Sequence, residues 1–244
     1  MYVEILLFFI IALIYSSAGF GGGSMYLVVL SESSQNQTFI RFTALMCNAI
    51  VTGTSSFEFA IRGWVAWRQL IGLLLFSTPI CIWSSTLSFE SRTYSLLLGA
   101  CLLLAAIAML SQRKTQVESN YPPVSRWWHY PASAGIGLLA GITGIGGGIY
   151  LAPLLHLSNW GNAKQIAAAS AFFILINSVA SIITQLITEQ IILSYIHLWL
   201  ALAVILGGYF GSHSAGSWLN HKWVRYITIA IIIFASIRIF IKHL

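Results

Sequence analysis

Two glycine runs, Gly19-Phe20-Gly21-Gly22-Gly23 and Gly144-Ile145-Gly146-Gly147-Gly148, each open a short apolar segment, SMYLVVL after the first and IYLAPLL after the second. A glycine costs about 1 kcal/mol relative to alanine in a helix interior, so glycine packed this densely predicts a break. Where the surroundings are membrane, unwound backbone is tolerated only if protein buries it or a wet cavity borders it. A short helix then begins near Gly22 and near Gly147, and its first turn carries unpaired N–H groups and the positive end of a helix dipole. Such an end attracts an anion without any basic side chain, and glycine lets the anion come close to the backbone. One use of the motifs is thus a pair of anion-binding ends facing each other, Gly21, Gly22, Gly23 and Ser24 on one side and Gly146, Gly147 and Gly148 on the other. The other is close packing of helices against small residues.

The rest of the chain says what surrounds these motifs. Of 244 residues 58% are apolar and 7% charged, with a mean hydropathy of +0.84; a soluble domain carries roughly 25% charge. A water-soluble globule is excluded, and the solvent is mostly lipid. Aromatics at 14% exclude disorder, unperiodic glycines a collagenous repeat, and three cysteines a disulfide scaffold. The net charge of +6 includes no basic run longer than Arg113-Lys114, so it points to cytoplasmic loops and lipid headgroups and not to nucleic acid. Cys47, Cys81 and Cys101 lie in apolar stretches without metal-ligand spacing and read as small core hydrophobes. Residues 2 to 18 are as apolar as a signal peptide but lack a basic start and run on into a glycine motif, so they are expected to stay in the mature protein.

Apolar stretches run at about 2–18, 22–30, 38–60, 64–87, 93–111, 127–143, 147–158, 165–188, 192–216 and 223–241. The polar segment QRKTQVESNYPPVSR, 112–126, reads as a linker between a first transmembrane repeat, 1–111, and a second, 127–244. The glycine motifs repeat at an offset of 125, and Asn48 in TALMCNAIV answers Asn177 in FFILINSVA at 129, which places a four-residue difference in the loop after each motif. An internal repeat with interrupted apolar segments at equivalent places is the signature of a secondary transporter with a site near the midplane.

The paired Gly-x-Gly-Gly-Gly motifs, Ala152-Pro153-Leu154-Leu155 and AAASAFFILINSVAS, with its Ser170 and Asn177, resemble the sulfite exporter TauE/SafE family of membrane permeases over nearly the whole chain. Val28 stands where the second half has Pro153. The resemblance implies movement of a small, often sulfur-containing anion across the cytoplasmic membrane, with export the implied direction. A sulfite, sulfoacetate or related organosulfonate is the substrate class.

Asn48 and Asn177 lie in mid-segment, where an unpartnered amide is costly. Each is a ligand to the anion's oxygens or glue between helices. Ser170 precedes Asn177 by two turns on nearly the same face, and Thr43 is its match in the first half. Glu58 and Arg62, four apart, are expected to pair at the interface, although a carboxylate there could also couple a proton. His156 and His213 are read as packing residues, with a proton relay as the sharper alternative. Trp64, Trp67, Trp127, Trp128, Trp199, Trp218 and Trp223 cluster near segment ends as an aromatic belt. No nucleophile elbow, zinc motif or phosphate loop occurs, so neither an enzyme nor a cofactor is expected.

The expectation is an all-α, polytopic transmembrane helical bundle of two homologous repeats in the inner membrane, moving its anion by alternating access. A channel built on the same half-helices is the alternative, and the oligomeric state and the coupling ion, proton or sodium, stay open. Two topologies are possible. If each glycine break continues a crossing, the chain crosses eight times, the repeats are parallel and the positive residues divide almost evenly. If each break turns back, it crosses six times with inverted repeats, and positive residues fall eight against four with the linker inside and both termini outside. The second bias is the stronger.

Overall fold

The computed structural model describes residues 2–17, 19–31, 36–87, 89–110, 126–189, 191, 195–213, and 226, 229, 230, 232–234, 236, 237 and 239–241. Apart from Arg126, the expected linker lies outside them, as do Trp218 and Trp223. Regular structure among the described residues is helical: α1 (Tyr2–Ser16), α2 (Gly23–Ser31), α3 (Gln37–Ile61), α4 (Trp67–Ser85), α5 (Ser91–Leu110), α6 (His129–Thr143), α7 (Gly148–Leu157), α8 (Ala163–Thr188) and α9 (Tyr195–His213). These follow the apolar stretches closely, and four of them, in α3, α5, α8 and α9, are long and apolar enough to cross a membrane. α4 is as long as α9, but it carries Ser77, Thr78, Ser84 and Ser85. Large side chains such as Leu6, Leu75, Leu104, Ile183 and Leu206 are left on the outside, where lipid and not water is their solvent. The chain is an all-α, multi-pass membrane protein.

The two long central helices begin alike. Asn36 accepts from the Phe39 N–H at 2.8 Å to cap α3. Asn162 accepts from the Gln165 N–H at 2.9 Å, and Gln165 reaches back to the Asn162 N–H at 3.0 Å, so α8 starts with a full capping box.

Contacts along each helix pair give the helix directions. On α9, Gly207 lies against Phe9 and Ala12 and Gly211 against Leu13 and Ser16, so α1 and α9 run parallel. In the same sense Gly72, Gly137 and Gly141 meet Tyr130, Ser77 and Cys81 respectively, which makes α4 and α6 parallel. Thr43 contacts His197 at 3.1 Å while Gly208 lies near Val51 and Thr54, so α9 is parallel to α3 as well. By contrast Asn48 bonds Ser178 and Gly53 faces Leu175, while Phe59 packs with Ala168 and Ala171. The central helices α3 and α8 are antiparallel.

These directions decide what the glycines do. α1 and α3 point the same way, and Ser55 Oγ donates to the Ser16 carbonyl at 3.5 Å, well along α3. From there the chain must return past Asn48 to the start of α3, so α2 runs back against α1. The second motif does the same: α6 and α8 both run with α4, and α7 leads from beside Ile174 back toward the start of α8. Both glycine segments are reversals and not bends within a continuing crossing.

Partners are exchanged between the halves. α1 packs on α9 and α6 on α4, while α5 lies against α6 and α7. Each opening helix is thus held by the fourth helix of the other half.

At the far end of α3, Glu58 pairs with Arg62 at 2.6 Å, and Arg62 also donates to the His213 carbonyl at 3.0 Å. With both side chains about a quarter exposed, this is the expected interfacial ion pair. Glu58→Gln should cost less than about 1 kcal/mol and keep transport intact; loss of transport with an unchanged melting temperature would make Glu58 a coupling group.

Candidate functional site

The two reversals meet on one buried side chain. Asn48, 1% exposed in the middle of α3, accepts from the Gly23 N–H at 3.2 Å and donates to the Ile145 carbonyl at 2.9 Å and to Ser178 Oγ at 3.1 Å. Gly23 opens α2, Ile145 lies inside the second glycine motif and Ser178 belongs to α8. A single amide therefore ties both motifs and both central helices together, and both its N–H groups are used. The geometry favours the structural reading for Asn48 over that of a free ligand.

Gly22 and Gly147 take left-handed backbone, at φ +83° and +85°, a region costly for residues with a Cβ. They turn the chain into α2 and α7 respectively. Around them the two halves match position by position. A Cβ on Gly19 would strike Ala167 and one on Gly144 would touch Arg41; one on Gly21 would strike Asn48 and Thr52, and one on Gly146 Ser178 and Ile174. The glycines are related by 125 and the helix residues by 126, the offset that also joins Asn36 to Asn162.

This corrects the expected pairing of the amides. Ile174, not Asn177, stands where Asn48 stands in the first half, and Ser178 answers Thr52; the four-residue gap shrinks to one. By the same offset the counterpart of Thr43 is Ala169 and not Ser170. Asn177 faces α4 instead, with Thr78 Oγ1 donating to its Oδ1 at 3.2 Å and its Nδ2 donating to Ser77 Oγ at 3.3 Å. The Asn match was read from residue identity alone, and in a helix a slip of three residues keeps nearly the same face.

A small cavity borders the first motif, with room for about one water-sized body. Its lining takes Gly21, Gly22, Gly23 and Ser24 from the first motif, Ile145 from the second, and Asn48, Ile149, Ile174, Tyr15 and Phe20 around them. From the second motif Ile145 lines it, whereas Gly146, Gly147, Gly148, Ser170 and Asn177 do not, and Gly147 and Gly148 lie against Phe173 and Ile174. Ser170 is fully buried, its hydroxyl without a hydrogen-bond partner.

One charged residue belongs to this region that sequence reading treated only as a loop charge. Arg41, 6% exposed, donates from Nη2 to the Gly141 carbonyl at 2.9 Å and lies over the Tyr94 ring at 5.8 Å. Tyr94 in turn donates to the Thr143 carbonyl at 2.8 Å. The signal was present: Arg41 falls inside the apolar stretch 38–60, where a charge is expensive.

Glycine reversals paired across two halves and joined at a buried amide fit the pattern of a secondary transporter. Sequence comparison agrees. A model of the sulfite exporter TauE/SafE family matches residues 4–239. The chain belongs to this family. A probable membrane transporter protein of Sinorhizobium fredii, y4hK, is 30% identical over 236 residues, covering 95% of each chain. A probable membrane transporter protein of Haemophilus influenzae is 28% identical over 176 residues, 67% of this chain and 64% of its own. No solved structure matches. As a TauE/SafE protein, the chain is a membrane transporter with a small-molecule substrate.

Proposed function

We propose that this TauE/SafE protein exports a small sulfur-containing anion, such as sulfite, sulfoacetate or a related organosulfonate, across the cytoplasmic membrane by alternating access. The family name supports the substrate class and the direction. The observation that carries the mechanism is the one small cavity where the two reversals meet, lined by Gly21 to Ser24 of the first motif, Ile145 of the second and Asn48 between them. Rocking of one half against the other about this meeting point gives two states. Antiparallel α3 and α8 support inverted repeats, 1–111 and 127–244 about the 112–126 linker, and inversion makes the two states open to opposite faces. In each state the anion lies against the N–H groups of one short helix, Gly21 to Ser24 or Gly146 to Gly148 with Ser170, and Asn48 and Asn177 hold the moving parts in register.

The test is counterflow in proteoliposomes loaded with sulfite. Saturable exchange is expected, whereas conductance without exchange would mark a channel. Gly22→Val and Gly147→Val should each abolish exchange in a chain that still purifies as a single species. A Cβ in left-handed backbone costs about 1–3 kcal/mol, which fixes the motif out of its working shape without unfolding the bundle. Full exchange by both variants would overturn the site.

A further inference from the structure

Arg41 is a buried cation with hydrogen-bonding capacity to spare. Its Nε–H has no partner, and no carboxylate lies within ion-pair reach of it among the described residues. A guanidinium presents five N–H donors in a fixed fork, and two of its nitrogens side by side match two oxygens of one oxoanion. Its bond to the Gly141 carbonyl accounts for one donor and places the charge at the C-terminal end of α6, where a cation is stabilised. That bond explains how the protein bears the charge and leaves the unsatisfied Nε unexplained.

Its position connects it to the cavity. Arg41 and Asn48 are seven residues apart on α3, which is two turns, roughly 10 Å along the same helix face. On α8 the matching positions are Ala167 and Ile174, neither of which carries a charge. Arg41 is thus a buried cation two turns from the cavity on the side where α3 begins, and the equivalent place in the second half has none.

We infer that Arg41 is an anion-binding station, taking two oxygens of a sulfite or sulfonate through its Nε and terminal N–H groups before or after the anion reaches the Asn48 cavity. The inference rests on the anion-transport reading above and adds a side-chain ligand to a site otherwise made of backbone. A lysine cannot replace the fork, because its ammonium is a point charge without paired donors.

The experiment compares wild type with Arg41→Lys and Arg41→Gln, using sulfite and sulfoacetate as probes. Transport is measured in proteoliposomes, equilibrium binding on the detergent-purified chain, and melting temperature on both. For Arg41→Gln the KM and the binding constant should rise about tenfold or more, and for Arg41→Lys several-fold, at an unchanged maximal rate. A fall in melting temperature with KM and binding constant unchanged in the variants would overturn the station and leave Arg41 as a cap on α6. Should Arg41→Gln not fold, an unchanged KM in Arg41→Lys overturns it equally. If wild type binds a probe through Arg41 but transports neither, the transport reading falls and the station stands; if wild type neither binds nor transports, both fall.

Discussion

Asn48→Ala should lower the stability of the bundle by about 2–3 kcal/mol and abolish transport. The substitution leaves the Gly23 N–H, the Ile145 carbonyl and the Ser178 hydroxyl without the group that joins them. Interhelical hydrogen bonds in membrane proteins are worth only about 0.6 kcal/mol on average, because separated helices find other partners. Here two of the three partners are backbone groups in glycine reversals, where no helix turn can take them up. The small cavity is lined by both Gly23 and Ile145, but it has room for only about one water, which cannot replace all three bonds, so most of the loss stays uncompensated. Asn177→Ala should cost less than half as much, because its side-chain partners Ser77 and Thr78 are hydroxyl groups able to rotate. Thermal unfolding in detergent with parallel sulfite counterflow checks both. Equal melting temperatures for wild type and Asn48→Ala would mean that the two motifs are held together by something else.

A larger loss of stability is expected from Gly137→Leu on α6. A Cβ there would overlap the carbonyl of Ser77 on α4, backbone against backbone, which no rotamer change relieves. The helices must separate, and α6 then loses its main partner while α4 is left with α8 alone from the second half. The cost should exceed about 4 kcal/mol, the range reached only when a core contact is forced apart. Gly135→Leu is the control: it lies on the same helix with nothing within 4 Å of its Cβ position, and it should give normal yields. Size-exclusion profiles of the two variants decide the matter. A monodisperse Gly137→Leu at wild-type yield would show that α4 and α6 do not need this contact.

Much of this was legible in the sequence, for reasons that can be named. Composition and the lengths of apolar stretches gave nearly every described helix to within a few residues, because in lipid a helix is the way to satisfy a chain's own backbone. Glycine density gave both breaks, since few other requirements gather four glycines in five residues. The direction after each break was not legible: a reversal and a bend use the same residues, and only contacts with α3 and α8 distinguish them. Nor was the exchange of α1 and α6 between halves, which depends on small residues such as Gly137 and Gly207 whose partners are far away in sequence. Arg41 was missed because positive charges were sorted into loops by position, although its place inside an apolar stretch marked it as unusual. Asn177 was drawn to the site by its likeness to Asn48, and the structure gives it a different set of neighbours.

The exchange of opening helices also bears on how the chain is made. α1 leaves the ribosome long before its main partner α9, which starts at Tyr195. At about 5–20 residues per second, the interval between finishing α1 and beginning α9 lasts roughly ten to forty seconds. Through that time α1 and the glycine reversal after it sit in the bilayer without the surface that will cover them, and the carbonyls around the reversal have neither Asn48's network nor α8. Insertion of the first half is therefore a waiting state, dependent on an insertase or a neighbouring protein to shelter polar backbone from lipid. A ribosome that stalls before α8 would leave a fragment with no stable fold of its own, ready for proteolysis.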